Sequence, residues 1–327
     1  MYNNIYKINE INSNNDNYEF KYIDLFAGIG GIRMPFQNLG GKCVFSSEID
    51  KYAAQTYEAN YGEKPSGDIT QIEANTIPNF DILLAGFPCQ AFSIAGKRKG
   101  FEDTRGTMFF EVERILEEKK PKSFLLENVK GLTNHDHGRT FKVMLDILEN
   151  KLGYKVFYKV LNAKNFGLPQ NRERIMIVGF KNHDIDFKFP DELNQETKVG
   201  DILIKNPDTK YTISDKIWES HQLRKERNRA KGNGFGYSLF NENSPYTSTI
   251  SARYYKDGSE ILIAQDGKNP RKLTPREAAR LQGYPDTFKI VVSDTQAYKE
   301  FGNSVPINMI NAVAQEMYKS LKNGGEI

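Results

Sequence analysis

The chain has 327 residues, enough for one large domain or two modest ones with a real core. Lys and Arg number 45 against 42 Asp and Glu, a formal net charge of +3, so any anion-binding face must be local. Two cysteines, Cys43 and Cys89, exclude a disulfide framework and a CxxC metal knuckle.

Free thiols point to a reducing, cytoplasmic compartment. Residues 1–17 are rich in Asn and lack an apolar signal-peptide core, so a flexible tail is expected there. No run is long and apolar enough to span a membrane. From Phe20 to about Phe189 short apolar runs recur at Tyr22–Phe26, Cys43–Ser46, Asp81–Ala85, Ser123–Leu126, Lys155–Val160 and Ile175–Gly179. Segments with helical spacing, such as Phe109–Lys119 and Thr140–Leu152, lie between most of them. Strands alternating with helices predict an α/β domain with a mostly parallel sheet covered on both faces. The last two runs have no good helix between them and read as an antiparallel hairpin at the sheet edge. From Pro190 to about Lys272 the alternation breaks up, Gly-rich stretches dominate and basic residues cluster, as in a smaller, loop-rich β domain. Thr274–Gln282 then reads as a helix with Thr274 as N-cap, Pro275 at its first position and Glu277 at its third. A last helix runs roughly from Pro306 to Lys322.

The first strand empties into Ala27-Gly28-Ile29-Gly30-Gly31, where glycines let the backbone pass close to a ligand at a helix N-terminus. Glu48 ends the next strand, where an acidic residue grips ribose hydroxyls in nucleotide-binding α/β folds. The glycine pattern is neither G-x-G-x-x-G nor a P-loop, which disfavours a dinucleotide and a triphosphate. Asp68 is placed to hold an adenine amino group. Together these residues suit a nucleoside cofactor.

The strand Asp81–Ala85 opens into Gly86-Phe87-Pro88-Cys89-Gln90-Ala91-Phe92-Ser93. Ligands bind at the carboxyl ends of strands in this architecture. The next strand ends in Glu127-Asn128-Val129, and Gln170-Asn171-Arg172-Glu173-Arg174 follows a Gly-Leu-Pro turn. Alternation along a strand would put Arg172 and Arg174 on one face. A thiolate at Cys89 adds to electrophilic carbon, and Glu127 protonates or hydrogen-bonds a ring nitrogen. Arg172 binds an oxygen where negative charge develops, and holds a phosphate or orients Glu127. Addition to carbon 6 of cytosine turns carbon 5 into a nucleophile that accepts a methyl group from a sulfonium. Cys43, inside an apolar strand, reads as structural.

These blocks, with Arg271–Glu277 and Gly302-Asn303-Ser304-Val305, resemble the bacterial DNA cytosine-5 methyltransferases of type II restriction–modification systems, HhaI type. The resemblance covers nearly everything after the tail. It implies a Rossmann-like S-adenosylmethionine-dependent methyltransferase fold with a mixed seven-stranded sheet. It also implies a catalytic domain over 18–190, a target-recognition domain over 191–272, and a segment 273–327 that returns to the catalytic domain. Catalysis is expected from Cys89, Glu127, Arg172 and Arg174, without metal. S-adenosylmethionine is expected at Phe26, Ala27, Gly28, Gly30, Gly31, Glu48, Ile49, Asp68, Ile69, Pro88, Asn303 and Ser304. Ile49 stands where relatives often carry Trp; it covers an adenine face without stacking on it.

In the recognition region Arg224, Lys225, Arg227, Arg229 and Lys231 are opposed only by Glu226. Glycine loops with aromatics, Arg and hydroxyls follow, suited to backbone and base contacts. Double-stranded DNA is the expected partner, touched by Gln90, Ser93, Arg227, Arg229, Thr249, Ser251, Arg253 and Tyr254. Thr249 to Ser251 would enter the gap left by the target base. The stretch around Thr247–Gly258 resembles recognition domains for the inner cytosine of sites beginning with CC and ending with GG. His135, His137, His183 and His221 read as loop residues or charge neighbours with no catalytic role. A monomer is expected, with a cognate endonuclease acting separately. The competing readings are a transfer RNA methyltransferase on the same fold, a catalytically dead DNA-binding module, and a nucleotide-dependent oxidoreductase. The large recognition insert, the intact Cys89/Glu127/Arg172 set and the glycine pattern disfavour them in turn.

Overall fold

The computed structural model describes residues 18–88, 108–193, 195–234 and 236–327; the expected tail lies outside them. The described residues form two compact units. The larger takes in those up to Leu161, Glu173–Asp191 and Ile310–Ile327; the smaller takes in Asn162–Arg172 and Glu192–Met309.

In the larger unit the chain runs through β1 (Phe20–Leu25), α1 (Arg33–Asn38), β2 (Gly41–Ser47), α2 (Lys51–Tyr61) and β3 (Ile82–Gly86). It continues through α3 (Phe109–Lys119), β4 (Ser123–Val129), α4 (Arg139–Asp146), β5 (Lys155–Asn162) and β6 (Glu173–Phe180). The sheet order is β2-β1-β3-β4-β6-β5. β1 is parallel to β2 and β3, β3 is parallel to β4, and β6 runs antiparallel to β4. β1, β3 and β4 are buried over nearly their whole length, as strands covered on both faces must be. After β1 the chain turns to one side, and it later returns on the other. The carboxyl ends of β1 and β3 therefore flank a switch point, where α/β folds bind ligands.

Among the described residues the larger sheet has six strands, where the resemblance implied seven. Beyond β2, Ser66 gives one N–H to the Ser46 carbonyl at 2.8 Å. Asp68 then caps a short 3-10 turn, Ile69–Gln71, so no ladder develops. The helix expected over Thr140–Leu152 is also divided: α4 stops at Asp146 and a π turn, Ile147–Lys151, follows. Phe141, Met144, Leu148 and Leu152 are all buried, and their continuous spacing is why the segment reads as one helix.

The smaller unit holds α5 (Asp215–Ala230), β7 (Leu239–Phe240), β8 (Leu262–Gln265), β9 (Lys268–Arg271), α6 (Pro275–Leu281) and α7 (Asp294–Asn303). Its strands form a sheet of order β7-β8-β9. Thr274 caps α6 in a capping box with Glu277. Both Glu277 oxygens also take the buried Arg271 guanidinium at 2.8 Å. α8 (Ile307–Asn323) starts in this unit and belongs to the larger one from Ile310. Among the described residues no helix is long and apolar enough to cross a membrane.

Candidate active site

The turn after β1 is built from left-handed residues: Phe26 at φ +53°, Gly28 at +54° and Gly30 at +80°. Ala27 fixes it to the neighbouring strand through the Ser47 carbonyl at 2.9 Å. Glu48, at the end of β2, reaches back across 20 residues and accepts the Gly28 N–H at 2.7 Å. Its other oxygen accepts the Asp50 N–H at 2.7 Å. Burial raises the Glu48 carboxyl above its ordinary value, opposed by these two N–H groups.

This turn has the features a nucleoside needs. A Cβ on Gly28 would meet nothing within 4 Å, so the backbone there faces open space. Ile49, next to Glu48, leaves 74% of its apolar surface uncovered. Asp68 has one oxygen on the Thr70 N–H at 3.0 Å and hydroxyl at 2.9 Å. Ala27 and Gly31 are buried and Pro88 is exposed. Ile69 is part of the apolar core, and its carbonyl accepts from the Arg114 guanidinium at 3.1 Å and the Ile72 N–H at 3.2 Å.

Beneath the turn lies a cluster that the sequence reading passed over. Tyr61 donates its hydroxyl to the Gly30 carbonyl at 2.8 Å. The Arg33 guanidinium sits 4.2 Å over the Tyr61 ring, gives a hydrogen bond to Tyr57 at 2.6 Å and pairs with Glu63. Burial holds the nearby Asp24 carboxyl well above the carboxylate range, against the pull of Arg33. The available signal was an acid in β1 and an arginine in the first turn of α1, both at core positions.

At the ends of β3 and β4, Gly86 and Glu127 are register partners. A Cβ on Gly86 would lie 3.5 Å from Glu127 Oε2, so the glycine leaves room beside the carboxyl. Arg174 of β6 pairs with Glu127 at 2.9 Å, with side chains only 14% and 10% exposed. Asn128 points the other way and donates its amide to the Phe87 carbonyl at 2.9 Å. It thereby anchors the chain just before Pro88, a role visible only once the strands are paired. Cys89, Gln90 and Ser93 lie outside the described residues.

The arginine seen paired with Glu127 is Arg174. Arg172 precedes β6 rather than lying in it, so strand alternation does not relate the two. Its buried guanidinium donates to the carbonyls of Ile250, Gly302 and Ser304 at 2.8, 2.9 and 2.6 Å. Asn303 is exposed at the end of α7, and the Ser304 hydroxyl is 2.5 Å from Tyr284 Oη. Cys43 sits in β2 with its thiol on the Phe45 carbonyl, and burial pushes it up to about 12.

In the smaller unit Arg227 and Arg229 are exposed on α5, whose buried residue is His221. His221 is a charge neighbour, as one of the two expected settings has it: it lies on the helix 3.0 Å from the Arg224 guanidinium and 3.2 Å from the Asp257 carbonyl. Thr249 donates its hydroxyl to the Asn171 carbonyl at 2.6 Å, and Ser251 donates to Glu260 at 2.5 Å. Arg253 is exposed. Tyr254 corrects an expectation: it is fully buried, donating to the Ile261 carbonyl and accepting the Leu273 N–H. With its ring in the core and its hydroxyl used twice, it has nothing left for DNA.

Residues 20–319 match the family model for C-5 cytosine-specific DNA methylases. The chain is 64% identical over 305 residues to the type II methyltransferase M.NlaX of Neisseria lactamica, covering 92% of this chain and 97% of that one. It is 60% identical over 314 residues to M.SsoII of Shigella sonnei, covering 94% and 82%. Among solved structures it resembles the Entamoeba histolytica methyltransferase EhMeth in fold, with a TM-score of 0.76 at 21% identity over 93% of this chain and 99% of that one. A methylase match across nearly the whole chain, together with the mixed sheet, the glycine turn and the paired Glu127, leaves one assignment: the chain belongs to the C-5 cytosine-specific DNA methylases.

Proposed function

We propose that the chain methylates carbon 5 of a cytosine flipped out of a short duplex site, through a covalent adduct at Cys89. The observation that carries the chemistry is the half-enclosed Glu127–Arg174 pair at the end of β4. Arg174 fixes the direction of the carboxyl, so Glu127 presents its proton to ring nitrogen N3. The Cys89 thiolate adds to carbon 6 as N3 takes that proton, and electron density moves to carbon 5. Arg174 also offers a cation to the cytosine carbonyl oxygen, where charge accumulates. S-adenosylmethionine, when bound, supplies the electrophilic methyl group. Loss of the carbon 5 proton to solvent base then expels the Cys89 thiolate, while N3 returns its proton to Glu127. Flipping is required because attack on carbon 6 comes perpendicular to the ring face, which stacking blocks.

Gly28, Glu48 and Ile49 are the residues we assign to the cofactor's nucleoside, with Phe26, Ala27, Gly30, Gly31, Asp68, Ile69, Pro88, Asn303 and Ser304 completing the set by resemblance. Arg227, Arg229, Thr249, Ser251 and Arg253, with Gln90 and Ser93, are assigned to DNA. A site beginning with CC and ending with GG, protection from a separate endonuclease, and action as a monomer complete the reading.

Duplex DNA with 5-fluorocytosine at the target tests it, because fluorine cannot leave as a cation and the adduct persists. The wild-type protein should be trapped through Cys89, and Cys89→Ser should form no adduct. Glu127→Gln and Arg174→Ala should fold normally and turn over about 100- to 10,000-fold more slowly. An adduct through Cys43, or near wild-type turnover in Glu127→Gln, would overturn the mechanism.

A further inference from the structure

Residues 169–172 hold the recognition segment by its backbone. Thr247 donates its N–H to the Pro169 carbonyl at 2.8 Å, and Asn171 donates to the Thr247 carbonyl at 2.9 Å. Gln170 and Thr247 thus form an isolated parallel bridge. Three residues on from Thr247, both polar groups of the buried Ile250 backbone are taken by side chains. Gln170 Oε1 accepts its N–H at 3.1 Å, and Arg172 donates to its carbonyl at 2.8 Å. Gln170 is fully buried, and its amide nitrogen reaches the Leu281 carbonyl at 3.1 Å and Gln282 Oε1 at 3.0 Å. Arg172 also donates to the Gly302 and Ser304 carbonyls. Gly302 completes the arrangement: a Cβ there would land on the Ser251–Ala252 peptide.

Thr249 and Ser251 therefore flank a residue fixed at its N–H, its carbonyl and its side chain. We propose that Gln170 and Arg172 are positioning residues that hold segment 247–252 in the shape that reads DNA, and that Arg172 does not touch the reacting atoms. The inference rests on the assignment of Thr249 and Ser251 to DNA. Its physical basis is preorganisation. A recognition segment already held in its bound shape gives up less conformational freedom on binding, and a mismatched base cannot be accommodated by its relaxing. An arginine suits the task because three diverging carbonyls need a planar fork with several donors, which a lysine ammonium does not provide.

The test uses the full chain with Arg172→Lys, Gly302→Ala and Gln170→Leu. The target sequence is first identified by bisulfite sequencing of DNA methylated by the wild-type protein. KM for a cognate duplex, the ratio of kcat/KM for cognate over single-mismatch duplexes, and the single-turnover rate at saturating DNA are then compared. A mismatch ordinarily costs about 5- to 150-fold in binding. Each variant should lose about tenfold or more of its discrimination and raise the cognate KM, with a smaller fall in the single-turnover rate. The Arg172→Lys/Gly302→Ala double variant should lose little more than the worse single, because both disturb one arrangement. If Arg172→Lys does not fold, Gly302→Ala and Gln170→Leu decide the question by the same ratio. A single-turnover rate cut about 100-fold with KM and discrimination intact would make Arg172 catalytic and overturn the proposal. Lower melting temperatures with unchanged discrimination would overturn it as well, leaving a purely structural tether. Failure of the DNA assignment is distinguishable, because the wild-type protein itself would then show no preference between duplexes, or Thr249→Ala and Ser251→Ala would keep full discrimination.

Discussion

Gly28 and Gly30 stand two residues apart in the same turn, and alanine at each should fail for a different reason. At Gly28 the new methyl would meet nothing within 4 Å, so the folded protein bears only the left-handed backbone at φ +54°. That costs about 1–2 kcal/mol. At Gly30, φ is +80° and the methyl would fall within 2.6 Å of Tyr61 Cζ and Oη. The ring cannot easily withdraw, because Arg33 lies over it at 4.2 Å and the Tyr57 ring centroid is 4.8 Å away. Backbone strain, overpacking and a weakened Tyr61–Gly30 hydrogen bond together come to roughly 3–6 kcal/mol. At about 2–4 °C of melting temperature per kcal/mol, the two variants should be clearly separated. Cofactor binding should rank them the other way for its size relative to stability. The space over Gly28 is the space we assign to the ligand, so Gly28→Ala should lose at least about tenfold in affinity, or about 1.4 kcal/mol, while melting only about 2–8 °C below the wild type. Thermal unfolding and titration with S-adenosylmethionine, each at a temperature where all three proteins are folded, supply the comparison. Wild-type affinity in Gly28→Ala would refute the placement of the ligand. A Gly30→Ala protein no less stable than Gly28→Ala would refute the packing argument.

Glu48 gives a pH dependence with a definite sign. In the role we propose, its charged form accepts ribose hydroxyls, so cofactor affinity should be full above its pKa and fall as pH drops through it; burial raises that pKa, so the loss should begin at a higher pH than for a solvated glutamate. In the free protein the linkage is opposite: with the folded pKa raised, the stabilisation from Glu48 is present below the unfolded value and is lost as pH rises through the folded one. Titrations across acidic and neutral pH should show the affinity limb in the wild type and not in Glu48→Gln; an identical limb in both would remove Glu48 from the ribose. On α5, Arg227→Ala/Arg229→Ala should flatten the salt dependence of DNA binding by about 0.9 per lost phosphate contact and leave sequence preference nearly intact, and an unchanged slope would take α5 off the phosphate backbone. Replacing the guanine opposite the target cytosine by an abasic site should tighten binding, since no pair then has to be broken; unchanged or weaker binding would argue against base flipping.

Much of the larger unit was legible because its signals are local. α3 occupies the residues its apolar spacing marks, and Thr274, Pro275 and Glu277 start α6 through the capping box their order predicts. The six apolar runs all became strands; β1, β3, β4 and β6 are mostly buried, as apolar runs suit, while the edge strands β2 and β5 are mostly half-buried. What failed depended on partners. The seventh strand implied by the resemblance has no apolar run behind it: beyond β2 one bond joins Ser66 to Ser46, and Asp68 then caps a 3-10 turn. The π turn after α4 is invisible to spacing because every expected core residue is still buried. α7 went unpredicted among polar residues, although Ala297, Tyr298 and Phe301 form its buried face.

The site divides along the same line. Glycines and acids at strand ends stand out in the sequence, and the structure joins two of them, Gly28 and Glu48, by a hydrogen bond the sequence reading did not foresee. Aromatic residues do not announce themselves: Tyr254 and Tyr255 are adjacent in a stretch rich in Arg and hydroxyls, and only packing makes the first a core residue. The paired arginines are the most instructive case. Alternation applies within a strand, and β6 begins at Glu173, between them. Arg174, inside the strand, takes a carboxylate; Arg172, outside it, takes three carbonyls. A guanidinium serves either partner, because its donors fit a carboxylate fork and diverging carbonyls alike. The Gln-x-Arg-x-Arg stretch of this chain therefore sets its two arginines in distinct surroundings, one on an acid and one on three carbonyls. The strand boundary that separates them comes from backbone pairing with β4, which neither arginine specifies.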